Sequence, residues 1–313
     1  MPEPTVREID PGIFLIDHRF QGLPGVIASY LLVDGDGLTL VEAGPSSTTE
    51  ALLAGIRAAG FDPAGITQLL VTHIHLDHAG AAGSLLRQLP RAQLFVHPIG
   101  APHLVDPAKL VSSATRIYGE TMERLWGEIL PVPEERLTVL EDGMEIRAGG
   151  RTLVALDTPG HAAHHLAFHD PTAGLVFTGD VAAVRLAQTG YVRPPTPPPE
   201  LDLALWQQSV ARLRALQPRR LLLTHFGPVD DVQWHLDELL ARLFFWAGWV
   251  DGRLQAGESP AVVTSELQRL GDAEVLEATG DAELARFYEL ATPYEMTVTG
   301  IARYFRKRRE RGG

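Results

Sequence analysis

Apolar runs and turn residues alternate through the first forty positions of this chain. Ile13 to Ile16, Val26 to Val33 and Leu38 to Val41 are separated by glycine and aspartate clusters such as Asp34-Gly35-Asp36-Gly37. That punctuation predicts hairpin-linked antiparallel strands. The period then changes. From Ser46 to Ala59 apolar residues recur at Leu52, Leu53 and Ile56, Ser46 or Ser47 stands where a cap is needed, and Gly60 stops the run, so a helix is expected. Gln68 to Thr72 reads as a short strand, Ala79 to Leu86 as an opening helix, and a further strand closes this stretch near residue 97. Between about 137 and 180 β-rich runs return, and mixed strands and helices of this kind point to an α/β fold.

Between His97 and Leu137 the chain is longer than a simple connection. Helical spacing runs through Leu110, Ile117, Met122, Leu125, Trp126 and Ile129 and is closed by Pro131 and Pro133. This insertion, about 98–135, is expected either to cover a site as a lid or to pack on the flank of the fold. Further on, Tyr191-Val192-Arg193-Pro194-Pro195-Thr196-Pro197-Pro198-Pro199 predicts a stiff extended loop, because each proline fixes φ and removes a donor. It is read as a rigid wall beside the site, with Tyr191 or Arg193 available to a substrate, followed by a helix from Leu201 to Leu216. Beyond residue 230 the pattern is helical almost throughout, at about 231–255, 259–270, 281–291 and 295–310. The expected organisation is a chemistry-bearing domain over 1–230 and an all-helical extension over 231–313 that packs on the core or forms a homo-oligomer interface.

Composition narrows the classes. At 313 residues with 45% hydrophobic content, the chain can bury a substantial core and is not a disordered protein. The absence of cysteine excludes disulfides and any thiolate nucleophile or metal ligand. A net charge of −12 disfavours nucleic acid, whose phosphates are neutralised by Lys and Arg. The basic end, Arg303, Arg306, Lys307, Arg308, Arg309 and Arg311, suits the negative pole of a helix C-terminus. No positively charged leader followed by an apolar stretch opens the chain, and the most apolar helical stretch, Leu236 to Val250, contains Asp237, Glu238 and Arg242. No membrane association is expected, and a cytoplasmic location is.

The densest chemistry lies in Thr72-His73-Ile74-His75-Leu76-Asp77-His78, at the exit of the Gln68–Thr72 run. Side chains two apart on an extended backbone point the same way, so His73 and His75 can converge while the following turn frees Asp77 and His78. Imidazole nitrogen with carboxylate oxygen suits zinc, iron or manganese. Thr158-Pro159-Gly160-His161, Thr178-Gly179-Asp180 and Thr224-His225 each follow another apolar run. Each again places a ligand-type residue at a strand exit, as a rigid sheet with functional loops would.

Taken in order, these four segments resemble the HxHxDH, His, Asp and His motifs of the metallo-β-lactamase superfamily, over roughly residues 10 to 230. The resemblance implies a four-layer αβ/βα sandwich. It also implies one metal ion held by His73, His75 and His161 and a second by Asp77, His78 and His225, with Asp180 bridging. Two divalent ions, zinc first and iron or manganese as alternatives, would then share a bridging hydroxide as nucleophile, with Asp77 orienting water or passing a proton to the leaving group. Glu42, in Val41-Glu42-Ala43-Gly44, stands where the family usually has Asp, and either orients a ligand imidazole or anchors its loop. His164 and His165 are read as wall or supporting residues, and His18, His97, His103, His169 and His235 as structural.

Thr-Pro-Gly-His and Thr-Gly-Asp resemble the glyoxalase II-like branch most. The expected activity is hydrolysis of a small ester-like molecule: a thioester, a lactone or a related ester. Ala183 stands where lactonases of the family carry a tyrosine, three residues after the bridging Asp. The alternative from another class is an iron-dependent oxidoreductase of the sulfur dioxygenase type, which needs only one iron.

Overall fold

The computed structural model describes residues 6–34 and 37–312, so Gly35 and Asp36 of the first expected turn lie outside the described residues. The chain forms two compact units, one comprising residues up to Asp157 with His164–Gly179, the other Thr158–Ala163 with Asp180 onward.

The first unit opens with four antiparallel strands, β1 (Val6–Asp10), β2 (Ile13–Asp17), β3 (Ala28–Asp34) and β4 (Gly37–Val41), and continues in parallel through β5 (Ile66–Leu70), β6 (Gln93–Val96) and β7 (Leu137–Val139). Register explains its core. Leu31 pairs with Leu40, Leu40 with Leu69, Leu69 with Leu94 and Leu94 with Leu137, so one leucine row crosses five strands. Against this row pack Leu52, Leu53 and Ile56 of α1 (Thr49–Ala58) and Leu85 and Leu86 of another helix, α3 (Ala82–Gln88). Each fully buried leucine contributes about 1.5–3 kcal/mol. Residues of opposite parity face the other way. There Tyr30 of β3 meets Phe177 edge-on at 5.4 Å, joining the sheet to an antiparallel meander of β8 (Glu145–Ala148), β9 (Arg151–Asp157), β10 (Leu166–Asp170) and β11 (Leu175–Gly179).

Three local expectations change here. The cap of α1 is Thr48 rather than a serine: Ser46 Oγ donates to Gly80 O at 2.9 Å and Ser47 Oγ to Leu125 O at 2.5 Å, so both hydroxyls tie distant segments together. The helix after the histidine cluster begins earlier than Ala79, as the single turn α2 (Leu76–Ala79), so Asp77 and His78 lie on a helical turn. The 98–135 insertion is broken into α4 (Ala101–Val105), α5 (Ala108–Tyr118) and α6 (Met122–Trp126). Gly119 and Gly127, at φ +52° and +70°, end the last two, a backbone region open to glycine.

The second unit contains α7 (Leu203–Ala215), capped by the Asp202 carboxylate, a hairpin of β12 (Arg220–Leu223) and β13 (Gly227–Val229), and four helices: α8 (Val232–Gln255), α9 (Pro260–Thr279), α10 (Leu284–Ala291) and α11 (Tyr294–Glu310). The helix expected to end near 270 runs on to Thr279. Gly271 does not stop it but makes room, since a Cβ there would lie 2.1 Å from the Tyr294 hydroxyl. Tyr191 and Arg193 are fully buried among these helices. Contrary to the sequence expectation, they do not face a substrate: Tyr191 packs edge-on against Tyr288 and under Arg242, and the Arg193 guanidinium lies 3.7 Å over the Tyr294 ring. Among the described residues no helix is long and apolar enough to cross a membrane.

Candidate metal centre

In the first unit the chain leaves β5 at Leu70, and His73 and His75 follow before α2, His75 with extended dihedrals of φ −60° and ψ 153°. Their side chains converge, with His73 Nε2 2.9 Å from His75 Nδ1. His75 is the N-cap of α2, and its carbonyl accepts from His78 N–H at 3.0 Å, which closes the turn carrying Asp77 and His78. His73 and His78 are fully buried, whereas the Asp77 carboxylate is 19% exposed. His78 Nε2 faces that carboxylate at 3.8 Å.

Glu42, held at φ +71° and fully buried, organises this set. Its Oε1 accepts from the Thr72 hydroxyl at 2.6 Å and from His78 Nδ1 at 3.0 Å, and its Oε2 accepts from Thr72 N–H at 3.3 Å. Since the Thr72 proton goes to Glu42, Thr72 Oγ accepts from His73 Nδ1 at 3.1 Å. One carboxylate thereby sets the tautomer of two imidazoles, directly at His78 and through Thr72 at His73, and directs both Nε2 lone pairs outward. Glu42 thus shows both features read for it: it bonds an imidazole, and through Thr72 N–H and Leu70 O it anchors its loop.

His164 and His165 lie beside this set, their rings 6.0 and 4.9 Å from that of His73. Tyr118, at the end of α5, is close enough to feel Asp77: burial and then the Asp77 charge push its hydroxyl pKa up. The same insertion is anchored by Trp126, which stacks on Phe20 at 5.4 Å and meets Tyr118 at 5.0 Å. Flank packing is therefore a property of 98–135, and its Tyr118 hydroxyl is within reach of the Asp77 charge.

In the second unit Asp180 stands between two histidines, with Oδ2 3.3 Å from His161 Nε2 and Oδ1 3.5 Å from His225 Nε2. All three are buried. His161 donates from Nδ1 to Pro195 O at 2.8 Å, which turns Nε2 toward the carboxylate. Gly160, at φ +139°, admits the close approach of α7, since a Cβ there would lie 2.3 Å from Trp206 Cα. The segment after Asp180 hangs from two ring donors: Trp206 Nε1–H to Val181 O at 2.7 Å and His235 Nε2–H to Ala182 O at 2.6 Å. Ala183 follows at φ +65°. The His225 carbonyl accepts from Arg185 N–H at 2.6 Å.

The donor set fits divalent metal ions. The imidazoles whose far nitrogen is engaged by a carboxylate, hydroxyl or carbonyl turn Nε2 toward neighbouring ligand-type groups, and buried charge of this kind is ordinarily paired or metal-bound. Each unit brings its own candidates together: His73, His75, Asp77 and His78 in the first, His161, Asp180 and His225 in the second.

Residues 22–225 match the Metallo-beta-lactamase superfamily. The chain belongs to that superfamily. Among its relatives, a metallo-beta-lactamase fold-containing protein of Sulfurisphaera tokodaii is 28% identical over 179 residues, 56% of this chain and 66% of the relative. A hydroxyacylglutathione hydrolase of Fuscovulum blasticum is 26% identical over 203 residues, 64% of this chain and 63% of that enzyme. The chain thus spans less than two thirds of the length of these two relatives. A metallo-beta-lactamase family protein from Thermus thermophilus has a similar structure, with a TM-score of 0.71 at 22% identity over 97% of this chain and 95% of that one. This likeness shows the fold, the superfamily's α/β sandwich, and the C-terminal residues 232–310 are all helical.

Sequence reasoning passed over Thr72, Trp206 and the Pro195 carbonyl, and it set His235 aside as structural. A carbonyl acceptor leaves no trace in residue identity, and the other three act through backbone or a neighbouring side chain. His18 is structural, held between Thr48 Oγ and Ser29 Oγ at 2.7 and 2.6 Å.

Proposed function

We propose that the two ligand sets work as one dinuclear centre that hydrolyses a small ester-like substrate, foremost a thioester. His73, His75 and His161 would hold one ion and Asp77, His78 and His225 the other, with Asp180 serving both. The observation that carries this reading is Glu42, a buried carboxylate spent on presenting the Nε2 atoms of His73 and His78. Membership of the superfamily supports joining the sets.

Divalent ions held there would supply Lewis acidity for an acyl oxygen and would lower the pKa of water. The residues do the rest. Asp77, the partly exposed carboxylate of the set, is placed to orient water or pass a proton to the leaving thiol or alcohol. Buried His164 and His165 exclude bulk solvent beside His73. Tyr118, whose hydroxyl feels the Asp77 charge, would offer an aromatic wall. The relative named a hydroxyacylglutathione hydrolase supports an acyl substrate, and superfamily membership supports metal-dependent hydrolysis. Nitrogen and oxygen donors accept zinc, iron or manganese, with zinc the leading assignment.

The deciding experiment is metal analysis of the purified protein combined with a panel of thioesters, lactones, phosphodiesters and β-lactams under monitored oxygen. Two equivalents of metal and ester hydrolysis without oxygen uptake are expected. A single iron with oxygen consumption would replace this reading by the dioxygenase one, and a protein that binds no metal would end both.

A further inference from the structure

We propose that the C-terminal helices tune metal affinity, by clamping the proline-rich loop that orients His161, with Arg193 as the positioning residue. The inference rests on His161 being a metal ligand. His161 takes its orientation from the Pro195 carbonyl, 2.8 Å from its Nδ1. A loop of prolines offers few N–H groups of its own to a hydrogen-bond ladder, so that carbonyl stays only where something else holds the loop.

What holds it comes from the helices after residue 231. Arg242 of α8 donates from Nη1 to Val192 O at 2.6 Å, and Arg303 Nε and Lys307 Nζ of α11 both donate to Pro199 O, at 3.2 and 3.1 Å. Between these points α11 lies directly on the loop: a Cβ on Gly300 would come within 1.9 Å of Thr196 O. Arg193 supplies the central strut. Its side chain is fully buried, its guanidinium lies 3.7 Å from the Tyr294 ring centroid and 5.4 Å from that of Trp246, and Glu289 Oε2 is 3.6 Å from Nη2. Burying a guanidinium is costly unless it is paired or stacked, so this charge stays only while α8, α10 and α11 surround it.

The backbone of the same residue reaches the other ligand. Val184 N–H donates to Arg193 O at 3.1 Å and Arg193 N–H to Val184 O at 2.9 Å, four residues after Asp180. Arg193 therefore couples the helices to His161 through Pro195 and to Asp180 through Val184.

The test is zinc affinity, by competition with a chromogenic chelator, measured beside the Tm of each metal-free variant. Arg193→Met and Gly300→Ala are expected to weaken zinc binding by roughly 10- to 100-fold, the range for residues that orient ligands from behind. Arg193→Lys, which keeps the charge without the planar stack, should recover part of it. Val263→Ala, in the buried core of α9, serves as the stability control and should lower Tm while leaving affinity unchanged. Unaltered affinity in Arg193→Met and Gly300→Ala, or an equal loss in Val263→Ala, would overturn the inference. Should Arg193→Met not fold, Gly300→Ala decides. His161→Ala separates the two levels: if it binds zinc like the parent, the ligand assignment itself fails.

Discussion

His78 and Glu42 share a buried hydrogen bond, Nδ1 to Oε1, 3.0 Å long. The same oxygen receives the Thr72 hydroxyl at 2.6 Å. Glu42→Gln keeps one acceptor but turns the other toward Thr72 N–H as a donor. Zinc affinity should fall roughly 10- to 100-fold, and the metal-free protein should lose about 1–3 kcal/mol from the unsatisfied pair. Zinc titration and denaturant unfolding check the two effects separately.

His73→Ala and Asp180→Ala should lower metal stoichiometry and turnover together, because in the proposed centre each would remove a donor rather than a substrate contact. Elemental analysis alongside activity tests this. Retention of both quantities would show that the ligands lie elsewhere.

Gly179→Ala should destabilise the protein by about 2–4 kcal/mol, the combined cost of a left-handed conformation and overpacking. At φ +48° its Cβ would meet Thr72 Oγ at 2.4 Å and His165 Nε2 at 2.8 Å. Chemical denaturation measures the loss.

Acid should weaken the fold through His235. Burial, the largest effect, pushes its pKa down to about 4, with nearby Arg185 lowering it further and the Ala182 carbonyl and Asp231 raising it. The folded pKa lies below the unfolded value of about 6.5, so the unfolded chain binds the proton first. Stability is retained above pH 6.5, falls as pH drops, and reaches its full loss, on the order of 3 kcal/mol, below about pH 4. Unfolding free energy followed from pH 7 to 4 should show a shallower decline in His235→Gln than in the parent.

Tyr118→Ala should change KM or kcat several-fold at unchanged metal content, since the Asp77 charge acts on the buried Tyr118 hydroxyl. Trp126→Ala should instead cost about 3–5 kcal/mol of stability, because Trp126 is the insertion's buried anchor against Phe20. An unaltered substrate profile in both variants would reduce 98–135 to flank packing.

Much of the fold could be read along the chain because its cues are local. Alternation and Gly/Asp turns located β2 and β4 almost to the residue, and helical spacing located α7, α8, α10 and α11 closely. The stretch expected over about 259–270 instead runs on through Gly271 to Thr279, because that glycine yields space to Tyr294. Ser46 and Ser47 misled for a similar reason: capping is judged from the next three residues, but their hydroxyls found carbonyls 34 and 78 positions away.

The sequence by itself determined which atoms are available for chemistry: a cysteine-free set of imidazoles and carboxylates at strand exits, in the order of one superfamily. It also determined that His73 and His75 would converge, since two-residue periodicity is a property of extended backbone. Only the tertiary structure decided what each donor's far nitrogen touches. That Glu42 rather than solvent faces His78, that Pro195 rather than a side chain orients His161, and that Arg193 points into the helices rather than toward a substrate all depend on segments brought together across long separations. Hydrogen-bond partners at such distances follow from packing, and packing is not written in any local pattern.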